Sequence, residues 1–234
     1  MKMDVAQFDM SRYLSVLPMF SDLTKQEREN VAEECQLRRL SRGDMVFRVG
    51  EACESFQILI LGQVKLYVTS ASGQEKVIDL IGPGHSFSES MMFLNKPYML
   101  DAQALTDTLL MEVSKQAVFG EIQRDSRFSM HMLAGIARHL HRLLRDVEGY
   151  ALQSGMQRLI DYLLRDVPKE NAVNKGVITV SLPVSKATIA SRLSLTPEYF
   201  SRVLHELEAE RLIEIDKREI RILDVERLAG YGAH

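Results

Sequence analysis

Residues 185–212 contain the segment that most restricts what this chain can fold into. Thr196 followed by Pro197 marks a helix start, because a Thr hydroxyl caps free N–H groups and Pro at the first helical position has no N–H to leave unpaired. Phe200, Val203, Leu204 and Leu207 then recur at helical spacing, which predicts a buried face and leaves Glu198, Ser201 and Arg202 on the open side near the N-terminus. A second short helix precedes this one across a tight turn. The pattern is a helix-turn-helix whose second helix carries base-reading side chains at its start.

The residue chemistry suits a major groove. Arg forks onto guanine O6 and N7, Glu accepts from cytosine N4, and Ser serves either edge. A competing reading is an intrahelical ion pair, since Glu198 and Arg202 stand four apart with the acid first. Residues 212–223 alternate apolar and polar on both sides of a charged turn, which predicts a β-hairpin, here a wing behind the second helix. Lys217 and Arg218 at its tip are placed to touch phosphates. A solvated turn explains them equally.

The run Thr-Pro-Glu-Tyr-Phe-Ser-Arg-Val-Leu resembles the recognition helix of the cyclic-AMP receptor protein / fumarate-nitrate reductase regulator (CRP/FNR) family, and the resemblance covers nearly the whole chain. Glu198, Ser201 and Arg202 are similar to the FNR-type E-x-x-S-R pattern, with Pro197 where the CRP type has its first arginine. That implies an FNR-like inverted repeat, TTGAT with its complement ATCAA. Ser194 departs from the family, standing where the CRP turn has Gly, at a modest cost if its φ is positive. The resemblance implies a transcription activator that works with RNA polymerase and is not an enzyme.

Upstream, two short helices are predicted near 10–17 and 24–34. Short β-prone runs separated by Gly43, Gly50, Gly62, Gly73, Gly82 and Gly84 follow, among them Met45-Val46-Phe47 and Val64-Lys65-Leu66-Tyr67-Val68. Many short strands at regular spacing indicate a closed or double-sheet β architecture. The expected class is therefore α+β: an N-terminal β-roll (a double-stranded β-helix, cyclic-nucleotide-binding-like), a long dimerisation helix and a C-terminal winged helix-turn-helix. The boundaries are placed at 1–118, 119–153 and 154–234. Cys35 and Cys53, the only cysteines, are far apart and without metal-ligand spacing. The N-terminal cysteines that hold the family's iron–sulfur cluster are missing, so no such cluster is expected.

The resemblance also places an effector pocket, formed by Phe87, Glu89, Tyr98, Met99, Leu143 and Leu144. Glu89 matches the ribose-binding Glu of cyclic-AMP receptors, but Tyr98 and Met99 stand in place of the phosphate-binding Arg and Ser. Without the bidentate guanidinium a phosphate loses both charge and geometry. Leu143 and Leu144 replace the polar pair that meets adenine, so cyclic AMP is not expected. Residues 87–97 resemble the Dnr branch, the dissimilatory nitrate respiration regulators, which implies a haem-dependent sensor of nitric oxide. His85, His131, His139 and His141 are the candidate axial ligands. His139 and His141 point about 200° apart on a helix and cannot share one metal.

A long amphipathic helix is predicted from near residue 125. Leu133, Ile136, Leu140, Leu143, Val147 and Tyr150 recur in steps of three and four, a heptad seam that predicts a homodimer matching a palindromic operator. Packing of the same stripe against the chain's own domain is the alternative. From Gly155 onward twelve Lys/Arg balance twelve Asp/Glu, so attraction to DNA must come from a local face. The start has no signal-peptide core and no run is long enough to cross a bilayer, which predicts a cytoplasmic protein. Two alternatives stand beside the sensor: a regulator that needs no effector or takes another small molecule, and a cupin-like metal oxygenase. The oxygenase needs His and carboxylate ligands converging on one site, and the roll offers only His85.

Overall fold

A computed structural model describes residues 8–165, 167 and 177–231; residues 1–7, on which the leaderless start is read, lie outside the described residues. The chain divides into two compact units, one of Met1–Val68 with Ile78–Arg142, the other of Thr69–Val77 with Leu143–His234. No helix among the described residues is long and apolar enough to cross a membrane.

The first unit opens with α1 (Met10–Leu14) and α2 (Lys25–Glu33). Helix α2 begins where it does because the Thr24 hydroxyl accepts from the Glu27 N–H while the Glu27 carboxylate accepts from the Thr24 N–H. The glycine-punctuated runs then form β1 (Cys35–Leu40), β2 (Met45–Phe47), β3 (Ser55–Leu61), β4 (Val64–Thr69), β5 (Glu75–Ile81) and β6 (Ser86–Phe87). A one-and-a-half-turn helix α3 (Glu89–Leu94) follows, then β7 (Asp101–Ala104) and β8 (Thr108–Ser114). The eight strands make two four-stranded sheets, in the orders β1-β8-β3-β6 and β2-β7-β4-β5. Phe20, Phe56, Phe87, Leu110 and Met111 belong to one buried core that the sheets share with the helices. Cys35 and Cys53 are buried free thiols, and burial pushes the Cys35 pKa up to about 12, far from a reactive thiolate.

Two helices close this part of the chain: α4 (Lys115–Arg124) and α5 (Ser126–Leu152). The long helix expected from near residue 125 thus begins at Ser126. Asp125 is extended (φ −135°, ψ 111°), which ends α4 and keeps residues 119–124 out of the long helix. Phe128 and Met132 anchor α5 in the roll core, with the Phe128 and Phe20 ring centroids 5.6 Å apart.

With that anchoring, α5 sorts its apolar residues onto two faces. Leu133, Leu140 and Val147 are 57%, 56% and 61% exposed, and Met130, Ala137, Leu144 and Ala151 lie exposed at the intervening heptad steps. Ile136, Leu143 and Tyr150 are only partly exposed. The open stripe therefore runs 130/133/137/140/144/147/151 and shares Leu133, Leu140 and Val147 with the seam read from sequence.

The second unit continues with α6 (Gly155–Leu164), β9 (Ile178–Ser181), α7 (Lys186–Arg192), α8 (Pro197–Ala209), β10 (Ile213–Asp216), β11 (Glu219–Ile222) and α9 (Val225–Gly230). Ser154 and Gln157 form a second capping box at the start of α6. The predicted hairpin is β10–β11, antiparallel, with Glu214 opposite Arg221 and their charges 2.6 Å apart. Strand β9 adds to β11, so the wing is a three-stranded sheet. Leu159, Ile189, Phe200, Leu204, Leu207, Ile220 and Leu228 form the core beneath it.

Candidate nucleic-acid interface

Helices α7 and α8 are joined by the tight turn expected from the sequence. Ser194 adopts φ 56°, the left-handed conformation that Gly adopts without cost, so the departure at this position is a locally strained turn. Two cations hold the turn's carbonyls. Arg158 of α6 donates to Leu193 O at 2.9 Å, and Lys76 of β5 donates to Ser191 O, to Arg192 O at 3.3 Å and to the Ser194 hydroxyl at 2.8 Å. Burial, with Arg192 and Arg158 nearby, lowers the Lys76 pKa to about 8. Neither cation is legible in the sequence as part of this turn, since Lys76 lies more than a hundred residues away.

Helix α8 starts at Pro197, with the Thr196 hydroxyl accepting from the Tyr199 N–H at 3.1 Å. Phe200, Val203, Leu204 and Leu207 are buried, as their spacing predicts. Pro197, Glu198 and Arg202 are exposed and Ser201 partly so, on the face away from that core. Among the described residues no ion pair joins Glu198 to Arg202. The Arg202 guanidinium lies instead over the Tyr199 ring, 4.9 Å from its centroid. The intrahelical pair that competes with the DNA reading is thus not formed, and both charges are available. At the wing tip Lys217, in the left-handed region at φ 55°, and Arg218 are both exposed.

The residues assigned to an effector take different positions. Phe87 is buried in the roll. Glu89, the first residue of α3, has its carboxyl pKa raised by burial, opposed by a hydrogen bond from Ser86. Tyr98 is buried and stacks flat on Phe47, with centroids 3.7 Å apart and planes 4° from parallel. Its hydroxyl accepts from Gln57 Nε2 at 3.2 Å and donates to Ser55 O at 3.3 Å. Met99 is 63% exposed. Leu143 and Leu144 belong to the second unit, Leu144 on the exposed stripe of α5.

The histidines are scattered in role. His85 is exposed, with Nδ1 3.2 Å from Pro83 O. His131 Nε2 lies 3.2 Å from an Asp22 oxygen, and His139 Nδ1 lies 3.2 Å from an Arg142 nitrogen. His141 is exposed. Among the described residues no three His, Cys, Asp or Glu side chains group as metal ligands.

Comparison with known proteins agrees with this layout. A cyclic nucleotide-binding domain matches residues 37–125 and a Crp-like helix-turn-helix domain matches residues 157–231. DNR from Pseudomonas aeruginosa is similar at 33% identity over 99% of this chain and 100% of that one, with a TM-score of 0.51. FixK2 from Bradyrhizobium japonicum shares the fold, with a TM-score of 0.74 at 22% identity over 86% of this chain and 98% of its own. A CRP-like cAMP-activated global transcriptional regulator from Mycobacterium tuberculosis is 24% identical over 80% of this chain and 84% of its length. Such relatives are regulators and not enzymes, which removes the oxygenase alternative. A helix-turn-helix with its reading face open, carried behind a nucleotide-type roll and matched end to end by DNR, places the chain in the CRP/FNR family of DNA-binding transcription regulators.

Proposed function

We propose that the protein binds an FNR-like inverted repeat, TTGAT and ATCAA, as a homodimer, with α8 of each protomer in a major groove. Arg202 reads guanine, Glu198 and Ser201 read the neighbouring bases, and Lys217 and Arg218 meet phosphates. The observation that carries this is that Glu198 and Arg202 stand exposed on the first turns of α8 with no ion pair between them. The exposed 130/133/137/140/144/147/151 stripe of α5 supplies the two-fold contact that a palindrome requires. RNA polymerase contact, activation and a cytoplasmic location belong to the same reading, by family resemblance.

The test is operator binding. Arg202→Ala costs about 1–3 kcal/mol on the cognate site and flattens the preference at its base pair, whereas Lys217→Ala weakens all sequences alike and lowers the salt slope. Equal losses on cognate and scrambled duplexes for Arg202→Ala would remove the base-reading role.

For the effector, the Dnr-like segment and the DNR relative support nitric oxide sensing through haem, in which haem iron would supply the gas-binding centre. The four candidate histidines do not fit that group as placed: two are exposed, one is held by Asp22 and one lies against Arg142. A second reading, a regulator that needs no effector or takes another small molecule, is favoured by Tyr98, which fills its own site by stacking on Phe47 and bonding Gln57 and Ser55. Haem titration of the purified chain, followed by operator binding with and without nitric oxide, separates them. A stoichiometric Soret band with affinity that rises on nitric oxide supports the sensor; full operator affinity without any addition supports the second reading.

A further inference from the structure

We propose that Tyr199 is a positioning residue that holds Arg202 in its base-reading orientation, and that Gly155 is what allows Tyr199 to stand there. This deepens the reading of α8 above and rests on it. Arg202 is a long, exposed side chain with many rotamers, and a guanidinium reads guanine only when its fork is aimed. Among the described residues no ion pair with a carboxylate, Glu198 included, steers it. The neighbour it has is the face of Tyr199, three residues earlier on the same helix, 4.9 Å from the guanidinium carbon to the ring centroid. A ring face attracts a guanidinium and offers it a plane to lie on without using the donors that the base needs.

Tyr199 is itself fixed from two sides. Its N–H is tied to the Thr196 hydroxyl at 3.1 Å, which sets its place in the first turn of α8. Its ring edge lies against the first residue of α6, where a Cβ on Gly155 would come 2.7 Å from Tyr199 Cε1 and 2.7 Å from Leu195 Cδ2. Carbon atoms do not approach that closely, so any side chain at position 155 displaces the ring or Leu195. A glycine at the first position of α6 leaves the space that this contact needs. Gly155, Arg158, Thr196, Glu198, Tyr199 and Arg202 border one open cleft of about 580 Å³ at the start of the recognition helix. The Tyr199 ring and Arg202 both belong to its wall.

The experiment measures the affinity of the full chain for a duplex carrying the TTGAT inverted repeat and for the same duplex with A·T replacing the G·C pair of each half-site, across a salt series. Tyr199→Leu keeps an apolar packing group but no π face, and Tyr199→Phe keeps the face. Tyr199→Leu and Gly155→Ala are expected to lower the discrimination between the two duplexes by about 2- to 5-fold, the scale of an exposed cation–π contact, with the salt slope unchanged. Tyr199→Phe retains it, and Tyr199→Leu has no further effect in an Arg202→Ala background. The proposal is overturned if Tyr199→Leu leaves discrimination intact while Arg202→Ala abolishes it, or if Tyr199→Leu lowers discrimination equally with Arg202 absent. If Arg202→Ala itself leaves discrimination unchanged, the base-reading assignment fails and the positioning role falls with it. Should Gly155→Ala not fold, the Tyr199→Leu and Tyr199→Phe pair decides alone.

Discussion

Arg192, the last residue of α7, donates to the Tyr150 hydroxyl at 2.7 Å, and that hydroxyl donates back to the Arg192 carbonyl at 2.5 Å. The same guanidinium pairs with Asp146, one helical turn before Tyr150 on α5. A buried cation at a helix C-terminus is favoured by the helix dipole, but only if its charge is matched. The first helix of the helix-turn-helix is therefore pinned to α5 by a charge pair and a reciprocal hydrogen bond. Tyr150, a residue of the expected dimer seam, thus carries an intra-chain hydrogen bond through its hydroxyl.

Removing the carboxylate should leave Arg192 charged and buried. Asp146→Ala is expected to destabilise the second unit by about 3 kcal/mol, because breaking a buried pair exposes the desolvation cost of the partner left behind. Calorimetry reads this as a lowered melting transition. An unchanged transition would mean that Arg192 is satisfied without Asp146.

Lys76 gives a pH signature. Its pKa is lowered from 10.5 to about 8 in the folded chain, so between those values the unfolded chain holds the extra proton. Stability contributed through this group therefore rises with pH across that window and is lowest below about pH 8, where Lys76 is charged in both states. Urea unfolding of the wild type and Lys76→Met at pH 7 and pH 10 should show the difference shifting in favour of the wild type at the higher pH. A difference that does not change with pH would place Lys76 in ordinary solvent.

The dimer stripe can be tested without unfolding the protomer. Leu140 is exposed, so Leu140→Asp should cost the isolated protomer little, yet it would put an unpaired carboxylate inside a helix pair. Sedimentation is expected to show folded monomers with poor affinity for the palindrome. A tight Leu140→Asp dimer would move the two-fold contact elsewhere.

In the roll, Tyr98→Phe keeps the stack on Phe47 and removes the hydroxyl that joins Gln57 and Ser55. The expected loss is about 1–2 kcal/mol, the cost of leaving buried polar groups short of a partner. Cyclic AMP should raise the melting temperature of neither protein, since the family resemblance puts Tyr98 where the cyclic-AMP receptors carry their phosphate-binding Arg. A ligand at a hundred times its dissociation constant would add about 2.7 kcal/mol, so a thermal shift with cyclic AMP is readily seen and would refute this.

The sequence by itself determined the elements whose causes are local. The start of α8 follows from Thr196 and Pro197, its buried face from the spacing of Phe200, Val203, Leu204 and Leu207, and the β10–β11 hairpin from alternation around Lys217 and Arg218. Capping, amphipathic period and turn chemistry act over a few residues and are written in adjacent letters. Tertiary structure decided what depends on contacts between distant residues. It chose which of two adjacent apolar rows on α5 stays exposed, because Phe128 and Met132 are drawn into the roll core and fix the helix rotation. It brought Lys76 to the Ser194 turn, turned Tyr98 onto Phe47 and laid Arg202 over Tyr199 rather than beside Glu198. Helical spacing permits both Arg202 partners, and the choice falls to packing, because Gly155 leaves the space in which the Tyr199 ring stands.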